Sequence, residues 1–165
     1  MMKNLYSTSA WPTLLQQIIA WQTAGDTLVF TNGCFDVLHP GHRALLDFAG
    51  KQGDRVIVGL NTDTSVRALK GNGRPIENEK ERANALIQTG VVDAVVMYAE
   101  ETPQEIINIV KPDILIKGDD YNFDTIVGAR EVSELGGRVI VFPRIAGYST
   151  SNVLKDTQKK NKETN

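Results

Sequence analysis

The sequence predicts an α/β domain built on a five-stranded parallel sheet with helices on both faces. Five short runs rich in Val, Ile and Leu recur along the chain, and amphipathic stretches alternate with them. With 165 residues, 41% of them hydrophobic and 23% charged, one domain can bury a sizeable core without disulfides or a structural metal.

In order, the runs are Thr27–Thr31 (TLVFT), Arg55–Leu60 (RVIVGL), Ala94–Met97 (AVVM), Asp113–Lys117 (DILIK) and Arg138–Phe142 (RVIVF). They are nearly continuous in apolar residues rather than alternating, the pattern of strands covered on both faces. Helices are expected at Trp11–Ala24, Gly41–Lys51, Asp63–Leu69, Glu79–Thr89, Pro103–Val110 and Ile126–Leu135, with a last one from Ser151. Lys70–Asn78 (KGNGRPIEN), with two glycines and a proline, and Gly118–Asp124 (GDDYNFD), directly after a strand, are loops. The organisation expected is a helical segment at 1–24, one domain at 25–155 and a polar tail at 156–165.

The net charge of -2 gives no clustered basic surface for nucleic acid, so any phosphate must be bound locally. Cys34 is the only cysteine, which excludes an internal disulfide and a cysteine-based zinc set and suits a reducing compartment. The N-terminal residues lack a basic region followed by an apolar run, and no stretch of 18 apolar residues occurs. A cytoplasmic protein with neither nucleic-acid nor membrane partners is expected.

Ligands of an open parallel sheet bind outside the carboxyl ends of its strands. The first run ends at Thr31 and is followed by Asn32-Gly33-Cys34-Phe35-Asp36, His39-Pro40-Gly41-His42 and the apolar stretch RALLDFAG. Gly33 permits close backbone approach, and Pro40 and Gly41 suit the turn into a helix whose free N–H groups attract phosphate. Both histidines of the chain fall here, three residues apart, on one side of the opening helical turn. Each can offer a hydrogen bond, or a positive charge, to phosphate near neutral pH. A zinc site lacks a third local ligand, and the GxxxxGK[ST] and GxGxxG strings are absent, as are serine-hydrolase and kinase signatures.

At these residues the chain resembles the HxGH nucleotidyltransferase superfamily and its cytidylyltransferase-like branch. TNGCFDVLHPGH is joined in order by VGLNTD (Val58–Asp63), KGNGRP (Lys70–Pro75), Glu81-Arg82, IKGDDY (Ile116–Tyr121) and RIAGYSTSN (Arg144–Asn152), so the resemblance covers nearly everything after residue 25. Within the branch, TNGCFD, the LKG..RP loop, KGDDY, IVGA (Ile126–Ala129) and GYSTSN look most like the adenylyltransferases that form ADP-heptose. Arg144-x-x-Gly147-x-Ser149-Thr150 is also similar to a signature of the glycerol 3-phosphate cytidylyltransferases, which leaves ATP and CTP both open.

The resemblance implies a Rossmann-like fold and transfer of a nucleotidyl group from a nucleoside triphosphate, with Mg²⁺, to a sugar 1-phosphate, a heptose 1-phosphate first. The alternatives are glycerol 3-phosphate or another small phosphate as acceptor, and an inactive nucleotide-binding module. A free unit of this kind would need a separate kinase to supply its sugar 1-phosphate, and a homodimer is expected. An acceptor phosphate is already ionised near pH 7, so the reaction needs positioning and charge neutralisation more than a base. His39, His42 and Lys70 are the catalytic candidates, His42 being the stabiliser of the α-phosphate. The nucleotide would be held by Thr31, Asn32, Gly33, Cys34, Phe35, Asp36, Gly41, Arg82, Lys117, Gly118, Asp119, Arg144, Gly147, Tyr148, Ser149, Thr150 and Ser151. Asn61, Asp63, Arg74, Asp120 and Tyr121 would face the acceptor.

Other readings of these residues stay open. Arg82 is either a β- or γ-phosphate contact or an exposed partner of Glu79 or Glu81, and Arg74 is a mobile cation over the phosphates or a solvated charge. Asp36 orients a lysine, holds Mg²⁺ indirectly or stabilises a turn; no residue is assigned as a direct metal ligand. Cys34 reads as a packed residue rather than a nucleophile. Trp11 and Trp21 pack on the domain or on a partner subunit.

Overall fold

The computed structural model describes residues 4–118, 122–143 and 145–147. In chain order the elements are β1 (Leu5–Tyr6), α1 (Trp11–Ala24), β2 (Leu28–Gly33), α2 (Pro40–Gly50), β3 (Arg55–Asn61), α3 (Asp63–Lys70), α4 (Glu79–Gln88), β4 (Ala94–Tyr98), α5 (Gln104–Val110), β5 (Ile114–Gly118), α6 (Ala129–Glu134) and β6 (Arg138–Phe142). Short 3₁₀ turns at Thr8–Ala10 and Phe123–Thr125 complete them. Among the described residues, no helix is long and apolar enough to cross a membrane.

The strands form one parallel sheet in the order β1-β4-β3-β2-β5-β6. Among the described residues the sheet therefore has six strands, not five. The added strand is two residues long, too short to show a hydrophobic period, and pairs Leu5 with Val95 and Tyr6 with Val96. The chain winds outward from β2 through β3 to β4, then crosses back to place β5 on the other side of β2. That switch point opens a crevice at the carboxyl ends, where only Val29–Ile114 and Phe30–Leu115 pair between β2 and β5.

Residue alternation sorts the core into two layers. Phe30, Ile57, Val96 and Leu115 point toward α1, α5 and α6 and pack with Leu14, Ile18, Ile106, Val110 and Val132. Val29, Val58, Val95 and Ile116 point the other way, onto Leu46 and Ala49 of α2 and Ala83 and Leu86 of α4. Trp11 and Trp21 pack against the first layer. The indole N–H of Trp11 donates to the Met97 carbonyl at 3.0 Å, and the Arg55 guanidinium lies 5.5 Å from the Trp21 ring.

At the amino-terminal edge, aspartates preceding three strands tie each to a neighbour. The carboxylates of Asp54, Asp93 and Asp113 accept the N–H groups of Thr27, Val56 and Leu28, each at 2.8 Å. Each of the three aspartates returns a bond from its own N–H to the carbonyl of the same residue.

Three helices differ from expectation at their starts, α5 by beginning at Gln104 rather than Pro103. α2 begins at Pro40, one residue earlier, and α6 spans only Ala129–Glu134 rather than Ile126–Leu135. Gly128, in the left-handed region at φ +83°, interrupts a right-handed helix there. A Cβ at Gly128 would also come within 2.7 Å of Ile107.

Candidate active site

The site grows from the end of β2. Thr31 is buried, and Gly33 leaves room for the Phe35 ring, which a Cβ there would crowd at 3.3 Å. The chain then turns sharply: Phe35 and Val37 adopt φ of +46° and +55°, left-handed conformations that cost a residue with a Cβ about 1–2 kcal/mol each. Such strain persists only where the surroundings enforce it, and it concentrates at functional turns.

α2 opens with a capping box made of two histidines. The Nδ1 of His39 accepts the N–H groups of Gly41 and His42 at 3.1 and 3.3 Å, and the Nδ1 of His42 accepts the His39 N–H at 3.4 Å. The rings stack with centroids 3.6 Å apart and planes 16° from parallel. With Nδ1 accepting in both, each neutral ring carries its proton on Nε2, where it can donate. Burial, then the charges of His39 and Lys70, lower His42 to about 3; burial lowers His39 too. The pair thus presents neutral donors at pH 7, at a helix N-terminus that favours anions.

Lys70, exposed at the last residue of α3, has a charge that reaches both His42 and Cys34. Burial pushes the Cys34 thiol up, so it stays protonated at neutral pH and is no nucleophile. Gly118 ends β5, and Lys117 beside it is buried. Gly147 lies in an exposed turn beyond β6 at φ +86°.

Arg82 and Asp36 brace the loops around the site. Arg82, read from the sequence as a phosphate contact or an exposed helix partner, is 0% exposed. Its guanidinium donates to the carbonyls of Glu77, Cys34 and Asn61 at 3.0, 2.7 and 2.9 Å and to the Asp63 carboxylate at 2.8 Å. It therefore ties α4 to the ends of β2 and β3. Asp36 accepts the N–H groups of Ile76 and Glu77 and the Arg74 Nε at 2.8 Å, pinning the glycine-rich loop beside the histidines. Burial raises its carboxyl, but those two N–H groups and the Arg74 guanidinium outweigh it and hold the group below its usual range. Of the roles left open for Asp36, turn stabilisation matches these bonds, and Arg74 is its ion-pair partner.

The sequence reading missed Tyr98, the last residue of β4. Its hydroxyl accepts from Asn32 Nδ2 and donates to Asn61 Oδ1, both at 3.0 Å, while Asn61 Nδ2 donates to Ser65 Oγ at 2.9 Å. Its position at a strand's carboxyl end was the available signal. Asp119, Asp120, Tyr121, Arg144, Tyr148, Ser149, Thr150 and Ser151 lie outside the described residues, as does the helix expected from Ser151.

A family model for cytidylyltransferase-like proteins matches residues 30–156, a span that holds the histidine turn and all the loops around it. The chain belongs to the cytidylyltransferase-like family of nucleotidyltransferases. Among curated relatives, it is 46% identical over 143 residues to the bifunctional protein HldE of Methylobacillus flagellatus and 50% identical over 131 residues to that of Acidiphilium cryptum. These alignments cover 87% and 79% of this chain but 29% and 27% of the relatives, so the chain spans less than a third of their length. A solved structure, the lipopolysaccharide core biosynthesis protein of Thermoplasma volcanium, superposes with a TM-score of 0.59 at 31% identity, over 76% of this chain and all of that one. The family match places the HPGH turn in a nucleotidyltransferase, where two neutral donors beside a helix N-terminus suit the oxygens of a triphosphate.

Proposed function

We propose that this nucleotidyltransferase moves the adenylyl group of ATP onto a sugar 1-phosphate, a heptose 1-phosphate in the first instance, forming an ADP-sugar and pyrophosphate. The stacked His39–His42 pair carries the reading. Relatives named bifunctional HldE and a neighbour named for lipopolysaccharide core biosynthesis support the sugar class.

In the proposed reaction an acceptor phosphate oxygen attacks the α-phosphorus in line. A bond forms from that oxygen to phosphorus as the bond to the β-phosphate oxygen breaks, and pyrophosphate leaves with the electron pair. The acceptor is already ionised, so no proton must be removed. His39 and His42 donate from Nε2 to oxygens whose charge grows in the transition state, and Lys70 adds a mobile positive charge.

Among the described residues, no group of three His, Cys, Asp or Glu is arranged to hold a metal. Asp36 and Asp63 are engaged by Arg74 and Arg82. Magnesium enters this proposal with the nucleoside triphosphate, as Mg·ATP.

Pyrophosphate release tests the reading, with ATP, CTP, GTP and UTP each crossed with heptose 1-phosphate, glycerol 3-phosphate and other small phosphates, with and without Mg²⁺. ATP with heptose 1-phosphate is expected to be the preferred pair. Preference for CTP with glycerol 3-phosphate would replace it with the cytidylyltransferase reading. Silence of a folded sample across the panel would leave a binding module.

A further inference from the structure

A hydrogen-bonded relay of side chains crosses the carboxyl ends of β2, β3 and β4 beside the histidine turn. Ser65 Oγ accepts from Asn61 Nδ2 at 2.9 Å, Asn61 Oδ1 accepts the Tyr98 hydroxyl at 3.0 Å, and that hydroxyl accepts from Asn32 Nδ2 at 3.0 Å. Strand register makes the relay possible. Asn61 pairs directly with Tyr98 between β3 and β4, but Asn32 stands on β2, with β3 between it and Tyr98. Its neighbour on β3 is Gly59, where a Cβ would lie 3.0 Å from Asn32 Cβ and 2.8 Å from the Phe30 ring. The missing side chain leaves the space over which Asn32 and Tyr98 meet.

Cys34 joins the relay to the chain that leads into the histidine turn. Its thiol donates to Asn61 Oδ1 at 3.8 Å, and Arg82, from α4, takes the carbonyls of Cys34 and Asn61 at 2.7 and 2.9 Å. The exits of β2 and β3 are therefore tied twice, by side chains through Tyr98 and by backbone through Arg82. One atom of the relay is left over, since Asn32 Oδ1 is buried and accepts no hydrogen bond among the described residues. A buried acceptor without a donor destabilises the folded chain, and an apolar side chain of similar size would remove that penalty. The Asn32 amide thus costs stability through its oxygen while its nitrogen anchors the strand end, a local conflict of the kind found where function is served.

We propose that Tyr98 is a positioning residue for the nucleotide. Through Asn32, and with Asn61 and Cys34, it holds the end of β2 so that the strained turn at Phe35 and Val37 and the stacked His39–His42 pair meet the phosphates without rearranging. Donors already in place need no ordering when the ligand arrives. This role requires only the triphosphate site and is the same for either base and for any acceptor.

The test is calorimetric titration of α,β-methylene-ATP and α,β-methylene-CTP, each with Mg²⁺, into the folded protein well below its melting temperature. In Tyr98→Phe, which keeps the ring and removes the hydroxyl, the tighter-binding analogue should bind about tenfold more weakly. Asn32→Leu should lose as much affinity yet melt no lower than wild type, because the unpaired oxygen leaves with the amide. A purely structural role would move the two readouts the other way, lowering the melt and sparing the affinity. Combining both substitutions should weaken binding no further than either alone, since each cuts the same link. Affinity within about twofold of wild type in either variant, or losses that add in the double variant, would overturn the proposal. Tighter binding of the CTP analogue would change the base in the proposed function and leave the role of Tyr98 standing. A folded wild type that binds neither analogue overturns that role.

Discussion

His39 and His42 cap one another: the Nδ1 of each accepts the backbone N–H of the other, and their rings stack 3.6 Å apart. The same bonds that start α2 therefore fix which nitrogen of each ring remains to donate. Structure and chemistry are coupled in one turn.

His42→Ala should lower kcat by about 100- to 1,000-fold, the usual effect of losing one donor to a developing phosphate charge. The lost cap should cost only about 1 kcal/mol, so the variant stays folded. Steady-state pyrophosphate release beside a thermal melt checks both, and near-normal turnover would remove His42 from the mechanism.

Stability should fall with acid through His42. Its folded pKa, about 3, lies below the value near 6.5 of an unfolded histidine. Between those values the unfolded chain binds the proton and the folded chain does not, so stability is full above pH 6.5 and declines below it, by up to about 1.4 kcal/mol per pH unit. Urea titrations at pH 7, 5.5 and 4.5 should show a shallower decline for His42→Asn, whose amide keeps an acceptor for the cap. Equal slopes would assign the acid sensitivity to other groups.

Arg82→Leu strips donors from three carbonyls and leaves the Asp63 carboxylate without its guanidinium. A loss of about 3–5 kcal/mol is expected from urea unfolding. Arg82→Lys should recover little of it, because one ammonium cannot reproduce the planar fork that meets acceptors on several elements. Wild-type stability in Arg82→Leu would show that the strut contributes nothing.

Lys70 is exposed and is expected to contribute to turnover rather than folding. Lys70→Ala should cut kcat by about tenfold or more with an unchanged melting temperature. A full rate would reduce this lysine to a solvated surface charge.

At the opposite edge of the sheet, Asp93→Ala should cost about 1–2 kcal/mol by orphaning the Val56 N–H, and kcat/KM should not change. A change in kcat/KM at constant folded fraction would contradict the separation of the two edges.

Much of this was legible in the sequence because parallel strands buried on both faces leave long apolar runs. All five predicted strands appear within about two residues of their expected bounds, and the histidine turn sits where the switch-point rule puts it. β1 left no trace because two residues cannot show a period. The burial of Arg82 was not legible because helical spacing places it beside Glu79 and Glu81, and nothing local reveals that carbonyls from β2 and β3 converge on it. Asn61 was picked out from VGLNTD, yet its bond to Tyr98 spans 37 residues of sequence and becomes visible only once β3 and β4 are paired.

The aspartate ties at the amino edge have an evolutionary consequence. Because Asp54, Asp93 and Asp113 secure strand register at the end remote from the histidines, the loops at the carboxyl ends are free to lengthen, shorten or change composition without renegotiating which strand lies beside which. Substrate range can then diverge among descendants of such a scaffold while the fold is inherited unchanged.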